Sequence, residues 1–204
     1  YVSYAPSVTM THARPVPVVT READGFSLDA AAVEAAITPK TRVLLLNFPN
    51  NPTGAGLTPE QKQALARVAI AHDLIVLTDE IYEELTYGQR SPSIASLPGM
   101  KDRTVFLNGF SKAHAMTGFR IGYACGPHEL IEAMMKIHQY SMLCASIVAQ
   151  EGALEALRHG DRPKEEMRRE YEQRRNVIVK RLNDMGLPCV NPRGAFYAFP
   201  RIAG

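Results

Sequence analysis

The chain has 204 residues, of which 46% are hydrophobic and 22% are charged, and its formal net charge at pH 7 is +2. This is the composition of an ordinary globular protein, long enough for one substantial core or for one domain and part of another. The near-neutral balance contains no long block of like charge, so we expect neither nucleic acid nor an anionic membrane as a partner. No apolar run reaches the length of a membrane-spanning helix, and no signal peptide is recognisable.

The cysteines and the chain ends carry two further expectations. Cys125, Cys144 and Cys189 are widely spaced and form no CxxC or Cys/His ligand pattern. We therefore expect reduced thiols in a cytoplasmic protein, without a disulfide framework and without a bound metal. The sequence starts at Tyr1 without a methionine and stops at Gly204 just after an apolar run, which we interpret as a piece of a longer polypeptide.

Apolar runs separated by turn residues predict alternating strands and helices along the first half of the chain. In chain order these are a mildly helical segment (1–13), a proline-edged strand (15–19), a helix capped by Ser27 (27–37), a buried strand (42–47), a helix (59–72) and a second buried strand (74–78). The helix after Thr58 has the clearest start, because Thr58, Pro59 and Gln61 form a capping-box signature. Strand, helix and strand in succession indicate a βαβ unit and a parallel sheet.

The second half continues the alternation. In chain order the predicted elements are strands at 104–108 and 121–125, helices at 127–140 and 147–157, a long charged helix at 163–185, and strands at 189–190 and 195–199. Because long helices of this composition often join two domains, we expect one domain at 1–165 and, at 166–204, a linking helix followed by the start of a second domain. Met134, Met135 and Met142 are expected in a core or in a dimer contact.

Polar residues follow two of the predicted buried strands. Asp79 lies at the carboxyl end of one, where open α/β sheets place their ligands, and a carboxylate there is costly without a cation or several donors. Tyr82, three residues on, can share the same side of a turn. Asn51 lies in the turn-rich segment after the preceding strand and can project its amide toward Asp79. The alternatives are a helix N-cap or ion pair for Asp79, a core position for Tyr82, and a local turn cap for Asn51.

Lys112 and Arg120 lie between two predicted core strands. A solvated basic loop is the alternative for a lone lysine. In the company of an amide, a carboxylate and a phenol, however, a lysine whose pKa is lowered by burial can condense with an aldehyde. The carboxylate would keep a pyridine nitrogen protonated, the amide and phenol would hydrogen-bond a phenolic oxygen, and the arginine would bind a phosphate. Pyridoxal phosphate needs this set of partners.

Three segments resemble the signature segments of a known family in order and spacing. They are Asn51-Pro-Thr-Gly54, Asp79-Glu-Ile-Tyr82, and Ser111-Lys112 followed by Gly118-Phe-Arg120. The resemblance is to the class I/II aminotransferases, in the fold-type-I group of pyridoxal-phosphate enzymes. It implies a three-layer α/β/α large domain with a mostly parallel central sheet, followed by part of a small α+β domain. It also implies pyridoxal 5'-phosphate as the cofactor, amino-acid and 2-oxo-acid substrates, and a homodimer.

The resemblance assigns catalytic roles to three residues. Lys112 matches the Schiff-base lysine, which also moves the proton at the α-carbon of the substrate. Asp79 matches the partner of the pyridinium nitrogen. Tyr82 matches a residue that hydrogen-bonds the oxygen of the cofactor ring.

The remaining assignments concern binding. Asn51 matches the second residue that holds the ring oxygen, and it also reaches the substrate carboxylate in the family. Arg120 matches the phosphate-binding arginine, and Ser111 is the candidate that completes the phosphate site. Tyr1 falls where the family stacks an aromatic residue on the ring.

The resemblance leaves three functions open. The first is amino transfer, the second is C–S β-elimination by a lyase that uses the same site, and the third is a non-catalytic sensor domain of a transcription regulator. The family's glycine-rich phosphate loop would lie before Tyr1 and its substrate-carboxylate arginine after Gly204. We therefore do not expect turnover from these 204 residues alone.

Overall fold

The computed structural model describes residues 1–202, which form four β-strands and six α-helices. The strands are β1 (Val43–Asn47), β2 (Ile75–Asp79), β3 (Thr104–Gly109) and β4 (Gly122–Cys125). The helices are α1 (Tyr4–Met10), α2 (Ala30–Ala35), α3 (Pro59–Ala71), α4 (His128–Ser141), α5 (Ile147–His159) and α6 (Asp161–Asp184). Across the described range, every helix is too short or too polar to serve as a transmembrane segment.

The strands form one sheet in the order β1-β2-β3-β4. β1, β2 and β3 run parallel, whereas β4 runs antiparallel to β3. This topology confirms the predicted α/β class with a mostly parallel sheet, and β1, α3 and β2 form the predicted βαβ unit. Asn47 lies opposite Asp79, and Asp79 lies opposite Leu107. The loops that follow the three parallel strands therefore leave from one edge of the sheet.

Helix α3 holds β2 in place from one face of the sheet. The Thr58 hydroxyl accepts a hydrogen bond from Gln61 N at 3.2 Å, and the Gln61 side chain accepts one from Thr58 N at 2.8 Å. Both bonds satisfy N–H groups that a helix start leaves without partners, and they confirm the predicted capping box. Further along α3, Leu65 is fully buried and belongs to the main core together with Val76 of β2.

Strands β3 and β4 approach each other unusually closely at a pair of glycines. Gly109 lies opposite Gly122, and a Cβ atom on Gly109 would lie 2.8 Å from the Gly122 Cα atom. A side chain at Gly109 would therefore collide with the backbone of β4. The loop 110–121, which contains Lys112, leaves and re-enters the sheet at this close contact.

The proline-edged strand predicted at 15–19 is not formed. Pro15 and Pro17 have no N–H group, so the segment cannot supply the regular donors of a sheet strand. Val16 and Val19 are 56% and 77% exposed, so no apolar face draws the segment into the sheet.

The helix predicted from Ser27 begins later than expected. Asp29 is the N-cap of α2, and its Oδ1 atom accepts a hydrogen bond from Ala31 N at 3.1 Å. The Ser27 hydroxyl instead accepts a hydrogen bond from the side-chain amide of Gln61. Serine and aspartate both cap helices well, but here the Ser27 side chain is bonded to α3 and therefore does not cap α2.

The two short strands predicted after residue 188 are also wrong within the described residues. Gly194 pairs with Thr86 in an isolated bridge, and Ala195 N donates a hydrogen bond to Leu85 O at 3.1 Å. The tail therefore lies along the loop that follows β2, and this placement brings its aromatic residues to the edge of the sheet where the predicted site lies.

Candidate active site

Asp79 ends β2 and uses its two carboxylate oxygens differently. Oδ1 accepts a hydrogen bond from Ile81 N at 3.0 Å, a contact within the turn that follows β2. Oδ2 accepts a hydrogen bond from the Tyr4 hydroxyl. Asn47 Nδ2 donates to the backbone oxygen of Asp79 at 3.3 Å and so ties the neighbouring strand end to it. Asp79 therefore keeps one oxygen for its own turn and presents the other to a donor from outside the sheet.

Tyr4, the donor to Asp79, was missed by the sequence analysis. Burial raises the pKa of the Tyr4 hydroxyl, and the hydrogen bond to Asp79 raises it further. The phenol therefore stays protonated and donates. The ring of Tyr1, which is 57% exposed, packs edge-on against Tyr4 with 5.6 Å between centroids. The sequence does show a second tyrosine three residues after Tyr1. No pattern in the sequence, however, indicates that this tyrosine contacts Asp79.

Asn51 and Tyr82 converge on a third side chain. Asn51 Nδ2 donates a hydrogen bond to the Tyr197 hydroxyl at 3.0 Å, and the hydroxyls of Tyr82 and Tyr197 lie 2.5 Å apart. Burial raises the pKa of Tyr82, and the contact with Tyr197 raises it further. Two side chains that can donate hydrogen bonds thus meet at one phenolic oxygen. Tyr197 was also missed, because its aromatic run was interpreted as part of a strand.

Lys112 lies in the loop after β3 and is half-buried. Its Nζ atom lies 5.8 Å from the centroid of the Tyr82 ring and 5.5 Å from that of Phe196. Both distances are within the range in which a ring face attracts a cation. The amine is therefore directed toward the side of the site that Tyr82 and Phe196 occupy.

Ser111 and Arg120 are held by the same loop. The Thr117 hydroxyl donates a hydrogen bond to Ser111 O at 2.8 Å, and Arg120 Nη1 donates one to Thr117 O at 3.0 Å. Arg120 is exposed and has a φ angle of 55°, in the left-handed region. Among residues 1–202, neither Ser111 nor Arg120 forms a hydrogen bond with another predicted site residue.

The predicted residues therefore fall into three neighbouring groups. Contacts join Asn51, Tyr82 and Lys112 in one of them. Asp79 lies beside this group and is close enough for its charge to raise the pKa of Tyr82. The remaining residues, Tyr1, Ser111 and Arg120, form no hydrogen bond with these side chains among residues 1–202. Tyr1 packs against Tyr4, and Ser111 and Arg120 lie in the same loop as Lys112.

The donors and acceptors of this site fit pyridoxal phosphate. The cofactor ring carries a phenolic oxygen and a ring nitrogen that bears a proton when it is paired with a carboxylate. Here Asn51 and Tyr82 already hydrogen-bond a phenolic oxygen, that of Tyr197, and Asp79 already accepts a hydrogen bond from an aromatic hydroxyl, that of Tyr4. The observed contacts are thus of the same chemical kind as those that the ring requires.

Comparison with known proteins gives the same family as the three signature segments. The family model described as aminotransferase class I and II matches residues 1–204. The chain is 49% identical to aromatic-amino-acid aminotransferase 2 of Thermococcus litoralis, over 99% of this chain and 53% of that protein. It is 46% identical to an aspartate aminotransferase of Pyrococcus abyssi, again over 99% of this chain and 53% of that protein.

A solved structure agrees with the sequence relatives. The aromatic aminotransferase from Pyrococcus horikoshii OT3 superimposes with a TM-score of 0.95 at 48% identity, over 99% of this chain and 55% of the other. The chain thus spans about half the length of the relatives that it matches. With a family model that covers the whole sequence and relatives close to 50% identity, the chain belongs to the aminotransferase class I and II family.

Proposed function

We propose that the protein is a pyridoxal-phosphate-dependent aminotransferase, which moves an amino group between an amino acid and a 2-oxo acid. The observation that carries the proposal is the convergence of Asn51 and Tyr82 on one phenolic oxygen, with the Lys112 amine over the Tyr82 ring. Asp79 beside them supplies an acceptor for a ring nitrogen. Family membership supports the same cofactor.

Each catalytic residue has a distinct task in this proposal. When bound, pyridoxal phosphate supplies an aldehyde that condenses with amines and a ring that withdraws electrons from the α-carbon of the substrate. Lys112 would hold the cofactor by its amine, and the same amine would remove and return the proton at the α-carbon of the substrate. Asp79 would keep a proton on the ring nitrogen, because its carboxylate stabilises positive charge there. Tyr82 orients the ring through its hydroxyl.

The binding residues act by position and charge. Asn51 donates a hydrogen bond to the ring oxygen and reaches the carboxylate of the substrate. Arg120 and Ser111 bind the phosphate, for which the exposed guanidinium offers paired donors. Tyr1 packs against the cofactor ring. These groups fix the orientation of the substrate, so that the proton at its α-carbon faces the amine of Lys112.

The test is amino transfer by the intact protein. With pyridoxal phosphate we expect a visible absorption that borohydride abolishes, and transfer from at least one amino donor to a 2-oxo acid. The first donors to try are aromatic amino acids and aspartate, after the names of the two relatives. Lys112→Ala should lose both the absorption and the transfer, and retention of both by this variant would contradict the proposal. A separate assay of the unsubstituted protein distinguishes the lyase. Release of pyruvate and ammonia from cystathionine without an amino acceptor would indicate a lyase instead.

We further propose that residues 1–165 belong to a large cofactor-binding domain. Residues 166–204 would then comprise the linking helix and the start of a smaller domain. Helix α6 supports the division, because it is 24 residues long and crosses the proposed boundary. The isolated bridge between Gly194 and Thr86 supports a smaller domain whose first residues pack on the loop after β2.

We also propose a homodimer in the cytoplasm. Apolar side chains of α4 and the segment after it are strongly exposed, among them Ile137 at 73%, Tyr140 at 87% and Leu143 at 80%. Exposed apolar surface of this extent favours a covering polypeptide, here a second subunit. The cysteines are free, and the exposed Cys125 and Cys144 fit a reducing compartment. Sedimentation of the intact protein at the mass of one chain would contradict the dimer.

A further inference from the structure

Glu83 lies outside the predicted set of site residues, yet it contacts both the turn that carries Asp79 and Tyr82 and the strand that precedes Lys112. Its backbone N donates a hydrogen bond to Glu80 O at 2.9 Å, which closes the turn after Asp79. Its Oε1 atom accepts a hydrogen bond from Asn108 Nδ2 at 2.7 Å. Asn108 belongs to β3, so this contact joins the turn after β2 to the strand that precedes Lys112.

Asn108 also contacts the residue that precedes the loop 110–121, which contains Lys112. Its Oδ1 atom accepts a hydrogen bond from Gly109 N at 2.7 Å, while its Nδ2 atom is bonded to Glu83. Gly109 is the residue at which β3 closely approaches Gly122 of β4. A single amide side chain therefore fixes the strand end from which the chain runs, three residues later, to Lys112.

The neighbouring Glu80 holds the backbone of Glu83 in place. The Glu80 side chain is buried and accepts hydrogen bonds from Thr78 Oγ1 at 3.0 Å and from Ser93 Oγ at 2.7 Å. Because Glu83 N is bonded to the backbone oxygen of Glu80, this fixed residue also fixes the position from which Glu83 reaches Asn108.

We propose that Glu83 is a positioning residue, which sets the orientation of the Lys112 loop relative to the Asp79–Tyr82 turn through Asn108. The inference rests on the proposed function, in which Lys112 and Asp79 must face the same ring. Among the described residues, Glu83 forms no hydrogen bond or ion pair with either of them. Removal of its carboxyl group should therefore loosen the loop and misalign the amine, and the residues that contact the ring would remain present.

Hydrogen exchange of the backbone amides in residues 109–117 tests the inference without a cofactor. In the intact protein, Glu83→Ala should accelerate exchange in this segment about tenfold, because the Asn108 amide loses its acceptor. Glu83→Gln keeps an acceptor oxygen and should stay within about twofold of the unsubstituted protein. The matched control is Glu84→Ala, because Glu84 pairs with Arg90 and Lys164 instead. Unchanged exchange in Glu83→Ala would overturn the positioning role.

A second measurement separates this inference from the proposed function. In the protein loaded with pyridoxal phosphate, Glu83→Ala should shift the pH midpoint of the visible absorption. It should also lower kcat about tenfold, with KM within about threefold, and Glu83→Gln should restore the midpoint and kcat.

Failure of the unsubstituted protein to develop the absorption would refute the proposed function, and the exchange rates would still decide the role of Glu83. A normal absorption with the same pH midpoint in both Glu83 variants would refute the positioning role alone. Should Glu83→Ala not fold, Glu83→Asp withdraws the carboxyl group from Asn108 by one methylene and serves the same comparison.

Discussion

At the scale of single residues, the site depends on how Asp79 divides its hydrogen bonds. Oδ1 is committed to Ile81 N of its own turn, and this bond fixes the direction of the side chain. Oδ2 is not used in this turn and accepts a hydrogen bond from the Tyr4 hydroxyl. A carboxylate oriented in this way can stabilise positive charge on a ring nitrogen without first giving up the bond that orients it.

The first prediction concerns the rate that depends on this carboxylate. Asp79→Ala should lower kcat by about 10²-fold or more and change KM only a few-fold, because the charge on the ring matters most in the transition state. Steady-state kinetics with saturating pyridoxal phosphate measure both constants. Asp73→Asn is the control, since the Asp73 side chain is exposed and, within residues 1–202, its carboxylate pairs with Arg103. Equal losses in affinity and in rate would argue against the assigned role.

The second prediction concerns Glu83 and pH. The pKa of Glu83 is raised from its ordinary value of 4.5 to about 7, mainly by burial and also by the charges of Glu80 and Glu84, while Lys62 opposes the shift. Tyr123, which faces it from β4, is a phenol whose own pKa is raised by burial.

The direction in which stability changes with pH follows from proton binding at Glu83. Between pH 4.5 and 7 the folded protein binds more protons at Glu83 than the unfolded chain does, so its stability falls as the pH rises and levels off above 7. With allowance for partial exposure, the loss is about 1–2 kcal/mol. Glu83→Gln should lack this loss, and chemical denaturation at pH 4.5 and pH 8 checks the difference. Parallel pH curves for the two proteins would contradict the prediction.

At the scale of elements, helix starts and strand ends decide where the site residues lie. The capping box fixes the first turn of α3, and the buried stripe of α3 packs β2 so that Asp79 reaches the sheet edge. Both features were predictable from sequence, because a cap and its helix are separated by only a few residues. The absence of strands at 15–19 and in the tail was not predicted, because apolar spacing takes no account of the N–H groups that Pro15 and Pro17 lack and does not reveal the loop on which the tail packs.

The third prediction tests the start of α3. Thr58→Ala removes the acceptor for Gln61 N and should lower the free energy of unfolding by about 1 kcal/mol. Ser146→Ala provides the comparison, because Ser146 occupies the same position before α5 but its side chain makes no capping bond. It should change stability by less than about 0.5 kcal/mol. Equal losses in urea denaturation of both variants would show that the capping bond is not the cause.

The fourth prediction concerns the close contact between β3 and β4. Gly109→Ala would place a Cβ atom 2.8 Å from Gly122 Cα and 3.0 Å from Ile121 O, both of them backbone atoms. Relief of this overlap should cost about 1–3 kcal/mol of stability. Gly118→Ala is the matched control within the same loop, since no atom lies within 4 Å of the added Cβ. Thermal unfolding should separate the two variants, and a stable Gly109→Ala would contradict the close approach.

At the scale of the whole molecule, the contacts that complete the site join distant parts of the sequence. Tyr4 bonds to a residue 75 positions away, and Asn51 to a residue 146 positions away. The signature segments could be found from sequence because each carries its chemistry within a few residues. Tyr4 and Tyr197 could not, because only the fold brings them to Asp79 and Tyr82.

The central claim is that Lys112 is the residue that holds pyridoxal phosphate, and its most direct test is a mapping of the bond. The intact protein is incubated with the cofactor, reduced with borohydride and digested, and the labelled peptide is identified by mass spectrometry. We predict the phosphopyridoxyl mass on Lys112, whose amine lies beside Tyr82 and Phe196. A label on another lysine, for example the half-buried Lys62, or no stoichiometric label at all, would contradict the account.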